Sequence, residues 1–219
     1  WEEKAPVSVG RWVFDGMVTL DGKIYVIGGS SQNGQTGHNI LERYTPGTNQ
    51  WDTLNPMTAL RKGIASTVLN GKIWAIGGSS ASILSSVEIY DPQTNSWSPG
   101  PALPIPIKNA SAETIDGKIY LIGGHDGTQP LNKVIVHDPA TNGWIEKASM
   151  SAGRHLFQTT TVDGKILAVG GAGNRNDVET YDPVANQWTS MPNLNVGRIS
   201  PSTWSVRGIT YVAGGYNGG

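Results

Sequence analysis

Arg11, Arg61, Arg154 and Arg198 each follow a tryptophan by ten residues, the tryptophans being Trp1, Trp51, Trp144 and Trp188. A guanidinium presents a planar fork that matches a carboxylate through two parallel hydrogen bonds. Such a group repeated at one slot of an array suits an acidic peptide or another anion. Counted from Trp97, the same slot holds Ile107, and Lys108 stands one residue further on, with its register shifted. Arg175 is a further candidate cation. A second expectation attaches to the same arginines: a repeated Arg can bond backbone carbonyls where one unit crosses to the next, or pair with a nearby carboxylate.

Other chemistry is sparse. The sequence has no cysteine, which removes disulfides, thiolate nucleophiles and Cys-ligated zinc. His38, His125, His137 and His155 are scattered, without the short His-to-His spacing of a metal site, so neither metal nor cofactor is expected. His137 replaces a repeated tyrosine and is expected to be structural. The net charge of −1, with no run of like charges, offers no footprint for nucleic acid. No apolar stretch of about 18 residues is present, so no membrane insertion is expected. The chain starts at Trp rather than Met, as an excised or processed segment would.

The elements that must carry these residues form a ladder. Trp1, Trp51, Trp97, Trp144 and Trp188 each precede a Gly-Gly pair by 26 or 27 residues, the pairs beginning at Gly28, Gly77, Gly123, Gly170 and Gly214. A period in the forties along a whole chain means an array of one supersecondary unit. Asp21-Gly22, Asn70-Gly71, Asp116-Gly117 and Asp163-Gly164 sit between apolar runs and predict tight hairpins; Arg207-Gly208 is the weakest match. The run before each Gly-Gly is apolar on both faces and must be covered on both. The paired glycines predict close backbone approach or a bulge. A third strand ends at Tyr44, Tyr90, His137 or Tyr181, and Trp follows seven residues later. Between them, Asp91-Pro92, Asp138-Pro139 and Asp182-Pro183 predict capped turns. Each unit thus reads as a four-stranded antiparallel meander, and a radial array of such sheets is a β-propeller.

The Gly-Gly pair, the Tyr and the following Trp, with residues 21–29 as the closest stretch, resemble the kelch repeat. The fold class expected is therefore all-β, a single kelch propeller domain over 1–219, with blade units near 5–51, 52–97, 98–144, 145–188, and 189–219 joined to the N-terminal segment. Five blades are expected, the last incomplete or assembled from both termini, and even then short of its third strand. A six- or seven-bladed parent is the alternative. The resemblance places the Arg slot at the crossing to the next blade's first strand, so Arg11, Arg61, Arg154 and Arg198 would ring the central opening, with Lys108 uncertain.

Between the second Gly and the Tyr or His, the spacing changes from copy to copy: 15, 12, 13 and 10 residues. Variable loops on a fixed frame are where binding usually lives. They offer Ser30, Ser79, His125, Asp126, Asn174, Arg175, Tyr216 and Asn217 as candidates, which are chiefly hydrogen-bonding groups. Trp12 and Trp204 break the repeat and either face the opening or fill a gap.

The leading expectation is a non-catalytic, monomeric module that binds a protein or peptide partner of acidic character. A carbohydrate-handling enzyme is the second expectation. Kelch-type copper oxidases need a Cys–Tyr crosslink, which this chain cannot make, and the iron set of thioglucoside-processing relatives is not found. A sialic-acid mutarotase would need an acid–base group, for which Asp15 and Glu113 are candidates, and a carboxylate there with a raised pKa would favour it. A purely structural segment of a larger protein is the third.

Overall fold

The computed structural model describes residues 2–11, 16–31 and 34–217. Trp1, Trp12 and Asp15 lie outside the described residues, as do parts of the first and last loops. The chain divides into two compact units, Trp1–Lys108 and Asn109–Gly219.

The first unit holds two antiparallel sheets. One contains β1 (Met17–Leu20), β2 (Lys23–Ile27), β3 (Leu41–Thr45) and β4 (Gln50–Leu54), in that order. The other contains β5 (Ala65–Leu69), β6 (Lys72–Ile76), β7 (Val87–Asp91) and β8 (Ser96–Pro99). The second unit repeats the arrangement twice: β9 (Ser111–Ile115), β10 (Lys118–Ile122), β11 (Val134–Asp138) and β12 (Gly143–Lys147), then β13 (Gln158–Val162), β14 (Lys165–Val169), β15 (Val178–Asp182) and β16 (Gln187–Met191). Its last sheet has two strands, β17 (Ser202–Val206) and β18 (Ile209–Ala213).

The hairpins form because both central residues accept positive φ. Asn70 and Gly71 have φ of 52° and 71°, and the other copies match, including Arg207 at 51°, against its ordinary preference. The following strand is the core strand of each sheet. Ile73, Trp74, Ala75 and Ile76 of β6 are all buried, as the two-sided apolar run requires. In the first unit Ile73 and Ala75 pack with Tyr25, Leu41 and Tyr90; in the second, Ile122, Val136, Phe157 and Tyr181 form the corresponding centre.

Tyr and Trp lock the outer edge. Tyr90 and Trp97 are cross-strand partners with ring centroids 5.2 Å apart. Tyr90 donates its hydroxyl to Asn95 Oδ1 at 2.8 Å, and Trp97 Nε1 donates to the Asn55 carbonyl at 2.8 Å, tying one sheet to the one before it. Tyr181, Asn186 and Trp188 repeat this in the second unit. Burial raises the Tyr181 pKa to about 12, so the phenol stays protonated and donates. His137 takes the tyrosine's place, buried, with Nδ1 3.2 Å from the Gly143 carbonyl.

Candidate functional site

The Arg slot is built by backbone before it is filled by a side chain. The first glycine of each pair has a φ near 60–70°, and Gly28, Gly77, Gly123 and Gly170 lie under a carbonyl of the next slot. A Cβ on Gly28 would come 2.7 Å from Arg61 O, one on Gly123 2.6 Å from Arg154 O, and one on Gly170 2.5 Å from Arg198 O. Glycine is needed there for both space and conformation. The second glycine then donates to that carbonyl: Gly29 N to Arg61 O, Gly124 N to Arg154 O and Gly171 N to Arg198 O, at 2.8–3.1 Å. The slot's own N–H completes the joint, with Arg61 N donating to His38 O and Arg154 N to Leu131 O.

The guanidinium turns the other way, into its own sheet. Arg61 Nη1 donates to the Gly77 and Ser86 carbonyls at 2.8 Å each, and Nη2 donates to Glu88 at 2.9 Å and to Ser86 Oγ at 2.9 Å. Arg154 reaches the Gly170 and Asp177 carbonyls, and its Nη2 contacts Asp177 at 2.5 Å and Glu179 at 2.6 Å. Arg11 donates to Gly28 O at 2.8 Å and pairs with Glu42. Arg198 donates to Gly214 O at 2.6 Å and has no carboxylate partner among the described residues.

The expected arginine ring is therefore corrected in its chemistry. Arg11, Arg61 and Arg154 are 4%, 1% and 1% exposed, and their donors are committed to carbonyls and to Glu42, Glu88 and Glu179. They brace sheet to sheet and offer no surface to a ligand. The brace has a third member, since each carboxylate also accepts backbone N–H groups: Ser8 N on Glu42, Thr58 N and Ala59 N on Glu88, and Ser151 N on Glu179. Burial alone would raise the Glu88 pKa, but the bonds from Thr58, Ala59 and Arg61 outweigh it and hold the carboxyl below the usual range.

The glutamates were missed in the sequence, although a signal existed: each stands two residues before the repeat Tyr. The remaining copy confirms the logic. Ile135 stands two residues before His137, Ile107 occupies the Arg slot, and Pro104, which has no N–H, takes the position of Ser8, Thr58 and Ser151. Anion, cation and donor are all absent from that copy, and Ile107 and Ile135 are each buried. The backbone joint survives there, with Gly78 N donating to Ile107 O at 2.8 Å.

The loop candidates lie elsewhere. Ser30 and Ser79 are buried and serve the loop's own ladder, Ser30 bridging Gly37 and Ser79 exchanging backbone bonds with Lys62. His125 accepts from Gly127 N, and the half-buried Asp126 caps Thr128 N and Gln129 N at 2.8 Å each. Asn174 is exposed with φ of 54°. Arg175 is half-buried and forks onto Asp177 at 2.9 and 2.8 Å. Tyr216 is 61% exposed with its backbone paired to Ile199, and Asn217 is exposed. Lys108 is half-buried, with no ion pair among the described residues.

Two groupings were invisible to spacing. His125 and His155 come together in the second unit, ring centroids 5.0 Å apart and edge to face. Glu113 on β9 accepts from Thr159 Oγ1 at 2.6 Å, and Thr159 in turn meets Ser111 Oγ at 2.7 Å. Burial raises the Glu113 pKa against the opposing effect of Thr159. Trp204 is neither gap-filler nor core: it stacks on Tyr211 at 5.7 Å, and both rings are 45% exposed.

The family described as the KLHDC2/KLHL20/DRC7 Kelch-repeats domain matches residues 16–215. The chain belongs to the kelch-repeat family. Its fold class is accordingly an all-β propeller whose complete blades are four-stranded antiparallel sheets. Human Kelch-like protein 28 is 37% identical over 84 residues, covering 36% of this chain and 14% of that protein. Kelch-like ECH-associated protein 1A of Danio rerio is 41% identical over 70 residues, covering 31% of this chain and 12% of that protein. The kelch chain thus matches only a small part of these relatives' length. A solved structure titled "Structure of YjhT" superposes with a TM-score of 0.82 at 18% identity, over 93% of this chain and 77% of that one, and speaks for the fold alone. In this kelch chain the repeated Tyr and Trp, the Gly-Gly pairs and Arg11, Arg61 and Arg154 are engaged within the frame.

Proposed function

We propose that the protein is a non-catalytic interaction module that holds a protein or peptide partner on the loops following the Gly-Gly pairs. The observation that carries this is the division of labour within each blade. Tyr, Trp, Gly-Gly, Arg and Glu are consumed by the frame, while the loops vary in length and expose Asn174, Tyr216 and Asn217. Adaptable hydrogen bonding with a few aromatic anchors suits recognition of a polypeptide. Kelch-like relatives in the comparison, one of them named as associated with ECH, accord with an adaptor role. An acidic partner would be met by Lys108 in one unit and by Arg175 and Arg198 in the other, and no longer by Arg11, Arg61 and Arg154. We read residues 1–219 as a single kelch propeller domain. The test is a binding screen of acidic peptides against the wild type and a His125→Ala/Asn174→Ala/Tyr216→Ala variant. A loss of at least about tenfold at unchanged melting temperature is expected. Equal binding by the folded variant would overturn the loop assignment.

A second reading is favoured by Glu113. A half-buried carboxyl whose pKa burial raises, held by Thr159, is an acid–base group of the kind a sugar mutarotase requires. Exchange between sialic-acid anomers, followed by NMR with wild type and Glu113→Gln, decides it. Catalysis lost in the variant supports an enzyme, and no acceleration by the wild type removes the reading.

A further inference from the structure

Between the segment that follows β12 and the strands β15 and β16 lies a groove of about 560 Å³. Trp188 gives it an apolar surface. The ring is held by its Nε1 bond to Ala148 O at 2.9 Å and by Tyr181, whose ring centroid is 5.1 Å away. Around it stand Ser149, Ser151, Gln187 and Ser190, all exposed, with no side-chain hydrogen bond among the described residues. Asn186 is oriented by its oxygen. Its Oδ1 accepts from the Tyr181 hydroxyl at 2.7 Å and from Ala148 N at 2.9 Å, which leaves the NH2 group to donate.

The matching positions of the first unit lack this chemistry. Counted from Arg61 and Arg154, Pro56 stands in the place of Ser149. Counted from Trp97 and Trp188, Pro99 stands in the place of Ser190. Asn55, in the place of Ala148, spends its Nδ2 on Asn95 O at 2.6 Å. Trp97 keeps its bond to Asn55 O with prolines at both places, so the frame needs neither hydroxyl. Ser149 and Ser190 are therefore surplus to the fold and available to a ligand.

Charge narrows the class of that ligand. Glu179 is the only ionisable group among the described lining residues, and it is spent on Ser151 N and Arg154. What remains is a set of neutral donors and acceptors around one aromatic side chain. A pyranose complements such a set, with hydroxyls on its rim and C–H groups on its face. The volume also falls within the roughly 300–1,000 Å³ of small-ligand sites. We propose that this groove binds a neutral pyranoside, its C–H face on Trp188 and its hydroxyls on Ser149, Asn186, Gln187 and Ser190. The groove shares no residue with the loops assigned to a polypeptide partner, nor with Glu113, so this assignment and those fail separately.

The test is an NMR titration of the isotopically labelled 219-residue chain with the methyl glycosides of glucose, galactose, mannose and N-acetylglucosamine. At least one should shift the Trp188 indole N–H and the Asn186 and Gln187 side-chain amides saturably, while the Trp97 indole stays unmoved. Ser149→Pro/Ser190→Pro, which copies Pro56 and Pro99, should abolish the shift at unchanged melting temperature. Ser149→Ala/Ser190→Ala removes only the hydroxyls and should weaken binding about tenfold or more; it decides the matter if the proline variant does not fold. No saturable shift with any glycoside, equal movement of Trp97, or full binding by the alanine variant overturns the proposal. So does a shift produced by a Gly-Ser-Gly peptide and by no glycoside, which would give the groove to a polypeptide.

Discussion

Replacing Arg61 and Glu88 together by isoleucine is expected to cost about as much as replacing either alone. Each single change removes one half of a buried ion pair, 2.9 Å long, and leaves the other ion in a site 1–9% exposed. Stranding a buried charge costs about 3–5 kcal/mol. The double variant strands no charge. It loses instead four hydrogen bonds, those from Arg61 to the Gly77 and Ser86 carbonyls and those from Thr58 N and Ala59 N to Glu88, while Ser86 O keeps its bond from Gly77 N. At about 1 kcal/mol for each, the total is near 4 kcal/mol, against roughly 8 kcal/mol for independent effects. Isoleucine is also what the sequence itself holds at the aligned positions, Ile107 in the Arg slot and Ile135 two residues before His137. Urea unfolding of the wild type, both singles and the double, followed by tryptophan fluorescence with matching m-values, gives the coupling. Additive single effects, or a harmless Glu88→Ile, would refute the claim that the pair is a brace. Where a single does not fold, Glu88→Gln supplies a milder arm.

Four further outcomes follow from the same geometry. Gly123→Ala should destabilise by about 2–5 kcal/mol, combining a φ of 61° with a Cβ 2.6 Å from Arg154 O, whereas Gly117→Ala, in open space at φ of 70°, should cost only about 1–2 kcal/mol, both read by urea unfolding. Because the folded pKa of Glu113 is raised, its contribution to stability is whole below the ordinary glutamate value near ~4 and is lost as pH rises through the folded value. Glu113→Gln should therefore melt above the wild type at pH 7 and level with it at pH 4, and an equal difference at both would count against the buried carboxyl. Glu88 works in the opposite sense: its depressed pKa gives stability that is present above the ordinary value and lost as pH falls through the folded one, so Glu88→Gln should flatten the acid limb of the melting-temperature profile. Trp97→Phe, which removes the Nε1 bond to Asn55 O, should lower stability by about 1 kcal/mol, and no change would place that outer tie outside the stabilising set.

The repeat, the hairpins and the covered second strands were legible in the residues because each depends on neighbours in the chain. Asn70-Gly71 makes its turn from its own φ preferences, and Ile73–Ile76 declares a two-sided burial by having no polar face. The glycine pairs also announced a close approach, though not that Arg61, Ile107, Arg154 and Arg198 supply the approaching carbonyls. What the arginines do was decided only in three dimensions. Arg61 and Glu88 are 27 residues apart, Arg154 and Glu179 are 25, and neither spacing has a meaning within a strand or a turn. A guanidinium has the same fork whether it awaits a guest or grips its own frame. Only folding determines whether water or a carboxylate lies in front of it. The fold places a glutamate before Arg11, Arg61 and Arg154, and leaves Arg198 on the Gly214 carbonyl with no carboxylate partner among the described residues.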